Sequence, residues 1–178
     1  MPATGSSAGA KDVVLRDGTP AMLWPMPPTD RAGLQEHWND LSAESRYNRF
    51  LSSVRTLSPQ MLDLLVDQVD GREHIALVLF TFPVRHQEDA AGVARLIRLR
   101  EDPVAADVAV TVDEQWRGRG VASVLLTELV KRRPEGVHEI RTQVASGNAA
   151  SLALLRGLGE TEVAPDGPGA VRVRVRLT

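Results

Sequence analysis

Gln115-Trp116-Arg117-Gly118-Arg119-Gly120-Val121-Ala122 is the stretch of this chain whose residue types and spacing can do chemistry. Val108-Ala109-Val110-Thr111-Val112 precedes it and alternates like a strand, and Ser123 to Val130 follows as an amphipathic helix. A strand, a glycine-bearing turn and a helix in that order aim backbone N–H groups outward at the positive end of a helix dipole, which suits a pyrophosphate. Glycines at 118 and 120 remove Cβ atoms, so an anion can come close to the backbone. Arg117 and Arg119 can add charge-assisted hydrogen bonds. A P-loop needs Gly-x4-Gly-Lys-Ser/Thr, and no lysine stands at that spacing. A dinucleotide fingerprint needs a third glycine where Ser123 stands. The plain alternative is a β–α turn that binds nothing.

The surrounding elements must hold this loop in place. Val13 to Trp24 predicts a strand or hairpin broken at Asp17-Gly18. Pro27 to Asp30 caps a helix with Leu34, Trp38 and Leu41 at helical spacing. Ser42 starts a second helix running to about Phe50. Ser58-Pro59 caps a third, with Met61, Leu64, Leu65 and Val69 on one face. His74 to Phe82 reads as a buried strand, followed by a loop through Asp89. Gly92–Leu99 and Ala105–Val112 read as a meander. The helix after the glycine loop ends near Arg133-Pro134, and Glu139–Val144 is the next strand. Asn148 opens a helix, Ala149 to Leu158, that stops at Gly159. Val171 to Leu177 alternates valine with Arg172, Arg174 and Arg176, as a strand with one solvated face does. Crossing from one strand to the next through the 118–132 helix predicts a parallel, right-handed pair.

The 178 residues are read as a disordered, Gly/Ala/Ser-rich tail over 1–11 and a single domain over 12–178. A net charge of −2 argues against nucleic acid. Without cysteine there is no disulfide and no thiolate zinc site or nucleophile, and the four histidines are not at zinc-ligand spacing, so no metal is expected. No apolar run reaches the length of a membrane helix and no signal peptide is visible, so the expected location is cytoplasmic with no membrane partner. The richness in Arg, Ala, Val and Leu is similar to that of GC-rich bacteria.

The glycine loop resembles the acetyl-CoA loop of the GNAT acetyltransferase superfamily, Gln/Arg-x-x-Gly-x-Gly/Ala, through Gln115, Gly118 and Gly120. Asn148-Ala149-Ala150-Ser151 to Gly159 is similar to that family's motif-B helix, about thirty residues on and one strand away. The resemblance covers roughly residues 20 to 163. It implies an α/β (α+β) fold with a mixed, mostly antiparallel central sheet flanked by about four to five helices. The parallel pair would be the family's fourth and fifth strands, here 105–112 and 139–144. Leu41-Ser42-Ala43-Glu44-Ser45-Arg46-Tyr47-Asn48-Arg49-Phe50 also looks like the Leu-Ser-x-x-Ser-Arg-Tyr-x-Arg-Phe run of the bacterial Pat-type protein lysine acetyltransferases. An amphipathic helix with Tyr47 and Phe50 in the core and solvated arginines explains the same spacing.

The resemblance implies direct transfer from acetyl-CoA to an amine. The backbone of Val110 and Val112 would hold the pantetheine arm, and a main-chain N–H there would polarise the thioester carbonyl. Gln115, Arg117, Gly118, Arg119, Gly120, Val121 and Ala122 would hold the pyrophosphate. Asn148 and Ser151 would contact the cofactor arm, although Asn148 can equally serve as a helix N-cap. The acceptor amine must lose a proton. Asp107 stands where Pat-like enzymes carry a glutamate, with a solvated strand residue as its plain alternative. Glu101, Asp102 and Glu139 are the other candidate bases. Leu155 replaces the tyrosine that many relatives use to protonate the thiolate, and Glu160 replaces the usual phenylalanine. The implied acceptor is a protein lysine, with an acyl-CoA synthetase as the candidate. The alternatives are a small-molecule amine, or a catalytically degenerate CoA-binding sensor or partner subunit. The resemblance leaves a homodimer open.

Overall fold

The computed structural model describes residues 9–26, 31–51, 53–84 and 87–178. It contains β1 (Lys11–Val14), β2 (Pro20–Pro25), α1 (Arg31–Asp40), α2 (Ala43–Phe50), α3 (Pro59–Leu62), β3 (His74–Val84), β4 (Gln87–Arg98) and β5 (Ala105–Val112). Then come α4 (Val121–Lys131), β6 (Glu139–Ala145), α5 (Ala149–Arg156), β7 (Gly159–Pro165) and β8 (Ala170–Leu177). The eight strands form one sheet in the order β1-β2-β3-β4-β5-β6-β8-β7. Only β5 and β6 are parallel; every other neighbouring pair is antiparallel. This is the mixed, mostly antiparallel sheet with one parallel pair that the resemblance implies, and the described residues contain five α-helices where about four to five are expected.

Each sheet face buries its own core because strand side chains alternate between faces. On one face Leu23, Leu77 and Leu96 meet Leu125 and Leu129 of α4 and Leu155 of α5. On the other face Ala76, Val78 and Val93 meet Leu34 and Trp38 of α1 and Leu65 and Val66 beyond α3. Gly92 makes the first face possible. A Cβ there would lie 2.9 Å from both the Thr111 carbonyl and a Val121 methyl, so α4 could not pack so close to β4.

The helix starts follow from local chemistry. Ser42 and Ser58 cap α2 and α3 by accepting from the N–H groups of Ser45 and Met61. Pro59 fits the first turn because its missing N–H would have no partner there.

Several expectations are corrected. The loop predicted to run to Asp89 is instead a hairpin, with β3 reaching Val84 and β4 starting at Gln87. Leu64 is 44% exposed, because the chain passes from α3 into a π-helical turn over Asp63–Asp67 and the buried pair becomes Leu65 and Val66. Tyr47 is 44% exposed, so it is not a core residue, whereas Phe50 packs its ring on Trp38 at 5.4 Å. Helix α5 ends at Arg156 with Gly157 as its cap. Gly159 instead opens the unpredicted strand β7, where its missing side chain lets the backbone meet Arg176. Lys11, assigned to the tail, opens β1. Residues 1–8 of that tail, and the expected cap Pro27–Asp30, lie outside the described residues.

Candidate active site

Strands β5 and β6 pair at only two positions, Ala105↔Glu139 and Ala106↔Ile140. Beyond them the Thr142 hydroxyl lies 3.1 Å from the Val108 carbonyl and shares its one proton between that oxygen and the Asp107 carboxyl, and then the strands part. The Asp113 N–H bonds to Ala91 of β4, so odd-numbered residues of β5 turn their peptide groups toward β4. By strand alternation the peptide groups of Val108, Val110 and Val112 face the fork. Val110 and Val112 thus present an open strand edge with no β6 partner. Such an edge accepts an extended amide chain by strand-like hydrogen bonding.

Two connected cavities fill the fork. The inner one, about 250 Å³, runs between α2 and α5 and is lined by Arg49, Asp107, Val110, Thr142, Asn148 and Leu155, among others. The outer one, about 400 Å³, is lined by Ser45, Val112, Arg117, Gly118, Gly120 and Ala122, with Arg16 and Glu44 at its rim. Asn48, Val110, Asn148, Ser151 and Leu154 border both, so the two form one groove.

The glycine loop closes the outer end. Gly118 and Gly120 have φ of +74° and +90°, a conformation that costs other residues about 1–2 kcal/mol. A Cβ on Gly118 would meet nothing within 4 Å, so that side is open to a ligand. The first intrahelical bond of α4 runs from the Val124 N–H to the Gly120 carbonyl. The N–H groups of Val121, Ala122 and Ser123 precede it and point out of the helix end, the geometry of an anion site.

The loop's side chains divide. Arg117 lines the groove and donates to the buried Ser45 hydroxyl of α2. Arg119 instead stacks over Trp116 at 4.6 Å and faces Asp17 at 3.4 Å. Gln115 gives its amide to Asp89 at 2.8 Å, beside the Trp116 indole N–H at 2.9 Å. Neither the Arg119 nor the Gln115 side chain borders the groove. Asn148 caps α5 by accepting from the Ser151 N–H at 3.1 Å, and it borders both cavities as well.

Asp107 sits at the crotch of the fork. Burial raises its carboxyl above the ordinary value, while the Thr142 hydrogen bond and the Arg49 charge pull the other way. A carboxylate held in this way is a better proton acceptor than a solvated one. Burial lowers the Arg49 pKa, Asp107 opposes that, and its guanidinium lies 4.5 Å over Phe50. Arg49 is therefore half-buried rather than solvated. Farther in, burial and the Arg95 charge take His74 down to about 4. Arg95, itself lowered to about 9 by burial and by Arg49, donates to the Leu65 carbonyl and the Met26 sulfur.

The rival bases lie outside the inner cavity. Burial tends to raise Glu139, but hydrogen bonds from Arg141 and Arg174 outweigh it and hold the carboxyl below its ordinary value. Asp102 pairs with Arg141 at 2.6 Å, and Glu101 is exposed. Neither borders the inner cavity. Arg172, Arg174 and Arg176 pair with Asp166, Glu139, Glu160 and Glu162 across the sheet face. Leu155 is 4% exposed and forms an apolar wall of the inner cavity.

Some neighbours of the site were not foreseen. His37 of α1 is buried, with Nδ1 2.9 Å from Asp113 and Nε2 3.0 Å from the Thr111 hydroxyl. It fastens α1 under β5 just before the glycine loop. Arg16 reaches the groove from the β1–β2 turn. No local pattern marks either residue. Arg49 was inside the Leu41–Phe50 string, which was the one signal for it. Among the described residues no group of His, Asp or Glu side chains could hold a metal ion, and no helix is long and apolar enough to cross a membrane.

Residues 35–159 match the acetyltransferase (GNAT) family. Acetyltransferase Pat of Mycolicibacterium smegmatis is 30% identical over 159 residues, which cover 86% of this chain. This chain spans 45% of the length of that relative. The crystal structure of the GNAT domain of S. lividans PAT superposes with a TM-score of 0.81 at 24% identity, covering 97% of this chain and 99% of that one. The structure of yncA from Salmonella typhimurium with its cofactor acetyl-CoA superposes with a TM-score of 0.66 at 18% identity, covering 89% and 94% of the two chains.

Proposed function

We propose that this chain, which belongs to the acetyltransferase (GNAT) family, acetylates a protein lysine directly from acetyl-CoA, with an acyl-CoA synthetase as the candidate substrate. The observation that carries the reading is Asp107, a carboxyl half-buried at the crotch of the fork beside the open edge of β5. Residues 12–178 act in this reading as one catalytic domain, in the bacterial cytoplasm.

Bound acetyl-CoA supplies a thioester whose thiolate is a fair leaving group. The protein's part is to bind, orient and move a proton. The peptide edges of Val110 and Val112 hold the pantetheine amides, and a fork-facing N–H of β5 stabilises the oxyanion. The N–H groups of Val121 and Ala122, with Gly118, Gly120 and Arg117, hold the pyrophosphate. Gln115 and Arg119 brace the loop through Asp89, Asp17 and Trp116. Asn148 and Ser151 line the far wall. Asp107 takes the ammonium proton, so that the neutral amine can attack. Leu155 cannot donate a proton, so the departing thiolate takes one from water.

Two features support lysine over a small polycation. The inner cavity pairs one carboxylate, Asp107, with one guanidinium, Arg49, and so lacks the acidic excess a polyamine needs. The Leu41–Phe50 string that resembles Pat-type enzymes forms α2, which borders both cavities. The test is release of CoA thiol from acetyl-CoA with acetyl-CoA synthetase or a panel of small amines as acceptor. Release accompanied by acetyl-lysine on the synthetase supports the reading. Release with small amines alone overturns the choice of acceptor.

A further inference from the structure

We propose that Arg16, on the turn between β1 and β2, is a phosphate-binding residue for coenzyme A supplied from outside the glycine loop. The proposal rests on the acetyl-CoA reading of the groove.

The turn is built onto the loop. The Arg16 N–H donates to the Arg119 carbonyl at 3.1 Å, and Asp17 faces the Arg119 guanidinium at 3.4 Å. A Cβ on Gly120 would lie 3.5 Å from the Arg16 Cβ, so the base of the Arg16 side chain is in contact with the residue that caps α4. From there the side chain borders the outer cavity.

The other arginines near this end are already engaged. Arg117 donates to Ser45, and Arg119 is held between Trp116 and Asp17. Among the described residues the Arg16 guanidinium has no hydrogen-bond or ion-pair partner. Glu44 is the one carboxylate on the outer cavity and disfavours an anion there. Coenzyme A brings a pyrophosphate and a 3′-phosphomonoester, the latter alone carrying about two negative charges. Arg117 and one helix end are a small counter-charge for such a load, and Arg16 is a free planar guanidinium within reach.

Calorimetric titration of the wild type and Arg16→Gln with CoA and with 3′-dephospho-CoA tests the proposal without an acceptor substrate. Arg16→Gln should weaken CoA about 5- to 20-fold, the size of one charge-assisted contact at a partly exposed site. A loss confined to CoA assigns the 3′-phosphate. An equal loss with both ligands assigns the pyrophosphate. Binding of both ligands within twofold of wild type overturns the proposal. A wild type that binds neither ligand overturns the acetyl-CoA reading itself, a separate outcome. Circular dichroism and Tm of the variant should match the wild type, since the side chain is exposed.

Discussion

Asp107→Asn removes the proton acceptor while keeping side-chain size and a partner for Thr142. General-base catalysis contributes roughly 10²–10⁴-fold, or about 3–5 kcal/mol of barrier, and the variant should lose kcat by that factor. CoA affinity should stay within about twofold, because the loop and the β5 edge are untouched. The pH profile carries the sharper signature. Burial raises the Asp107 pKa and outweighs Thr142 and Arg49. The base is active when ionised, so wild-type kcat/KM should fall as pH drops through that raised value. Thr142→Val removes a contact that lowers the pKa and should move this limb to higher pH. Stability should run the opposite way. A carboxyl whose folded pKa is raised adds stability at low pH and loses it as pH rises through the folded value. Asp107→Asn should therefore keep or raise Tm at neutral pH while losing turnover. Stopped thiol-release assays from pH 5 to 9, with thermal melts of the same samples, read both. A variant that keeps kcat within about threefold, with the acid limb intact, would refute Asp107 as the base. Glu139→Gln should leave kcat unchanged, since Arg141 and Arg174 hold that carboxylate outside the inner cavity.

Three further outcomes are expected. Gly159→Ala would place a Cβ 2.0 Å from the Arg176 carbonyl, so β7 must lift off β8, and urea unfolding should show a loss of about 3 kcal/mol or more. His37→Leu leaves Asp113 buried without its partner and strips the Thr111 hydroxyl of its contact; a loss of about 1–3 kcal/mol in the same assay is expected, and an unchanged midpoint would mean the cluster is not stabilising. The Lys11 hydrogen bond, outweighing burial and joined by Lys131, lowers the Glu128 pKa. Its stabilisation is present above the unfolded value and lost as pH falls through the folded one, so Glu128→Gln should cost about 0.5–1 kcal/mol at pH 7 and nothing near pH 2.

What the chain's order determined by itself was local. The glycine loop, its preceding strand, the Asn148 cap and the Ser42 and Ser58 helix starts depend on neighbours within a few residues. The alternation of Val171 to Leu177 likewise announces a strand before its partners are known. The candidate base was reached through the resemblance to Pat-type enzymes, by its place at the start of β5, but its environment was not legible. Arg49 and Thr142 come from α2 and β6, and only the fork brings them to Asp107. Strand β7 was missed because an exposed edge strand has no buried face to write an apolar pattern, and its pairing depends on a backbone contact with β8. Tyr47 misled because helical spacing marks a face without saying which face meets the sheet. Gln115 matches the loop pattern and Arg119 suits a phosphate by its charge, yet Asp89 and Asp17, brought near by the folded sheet and the first hairpin, engage their side chains. Sequence periodicity encodes which elements form. The charge around a buried group is set by residues far apart in the chain, because packing rather than order decides which of them share one low-dielectric space.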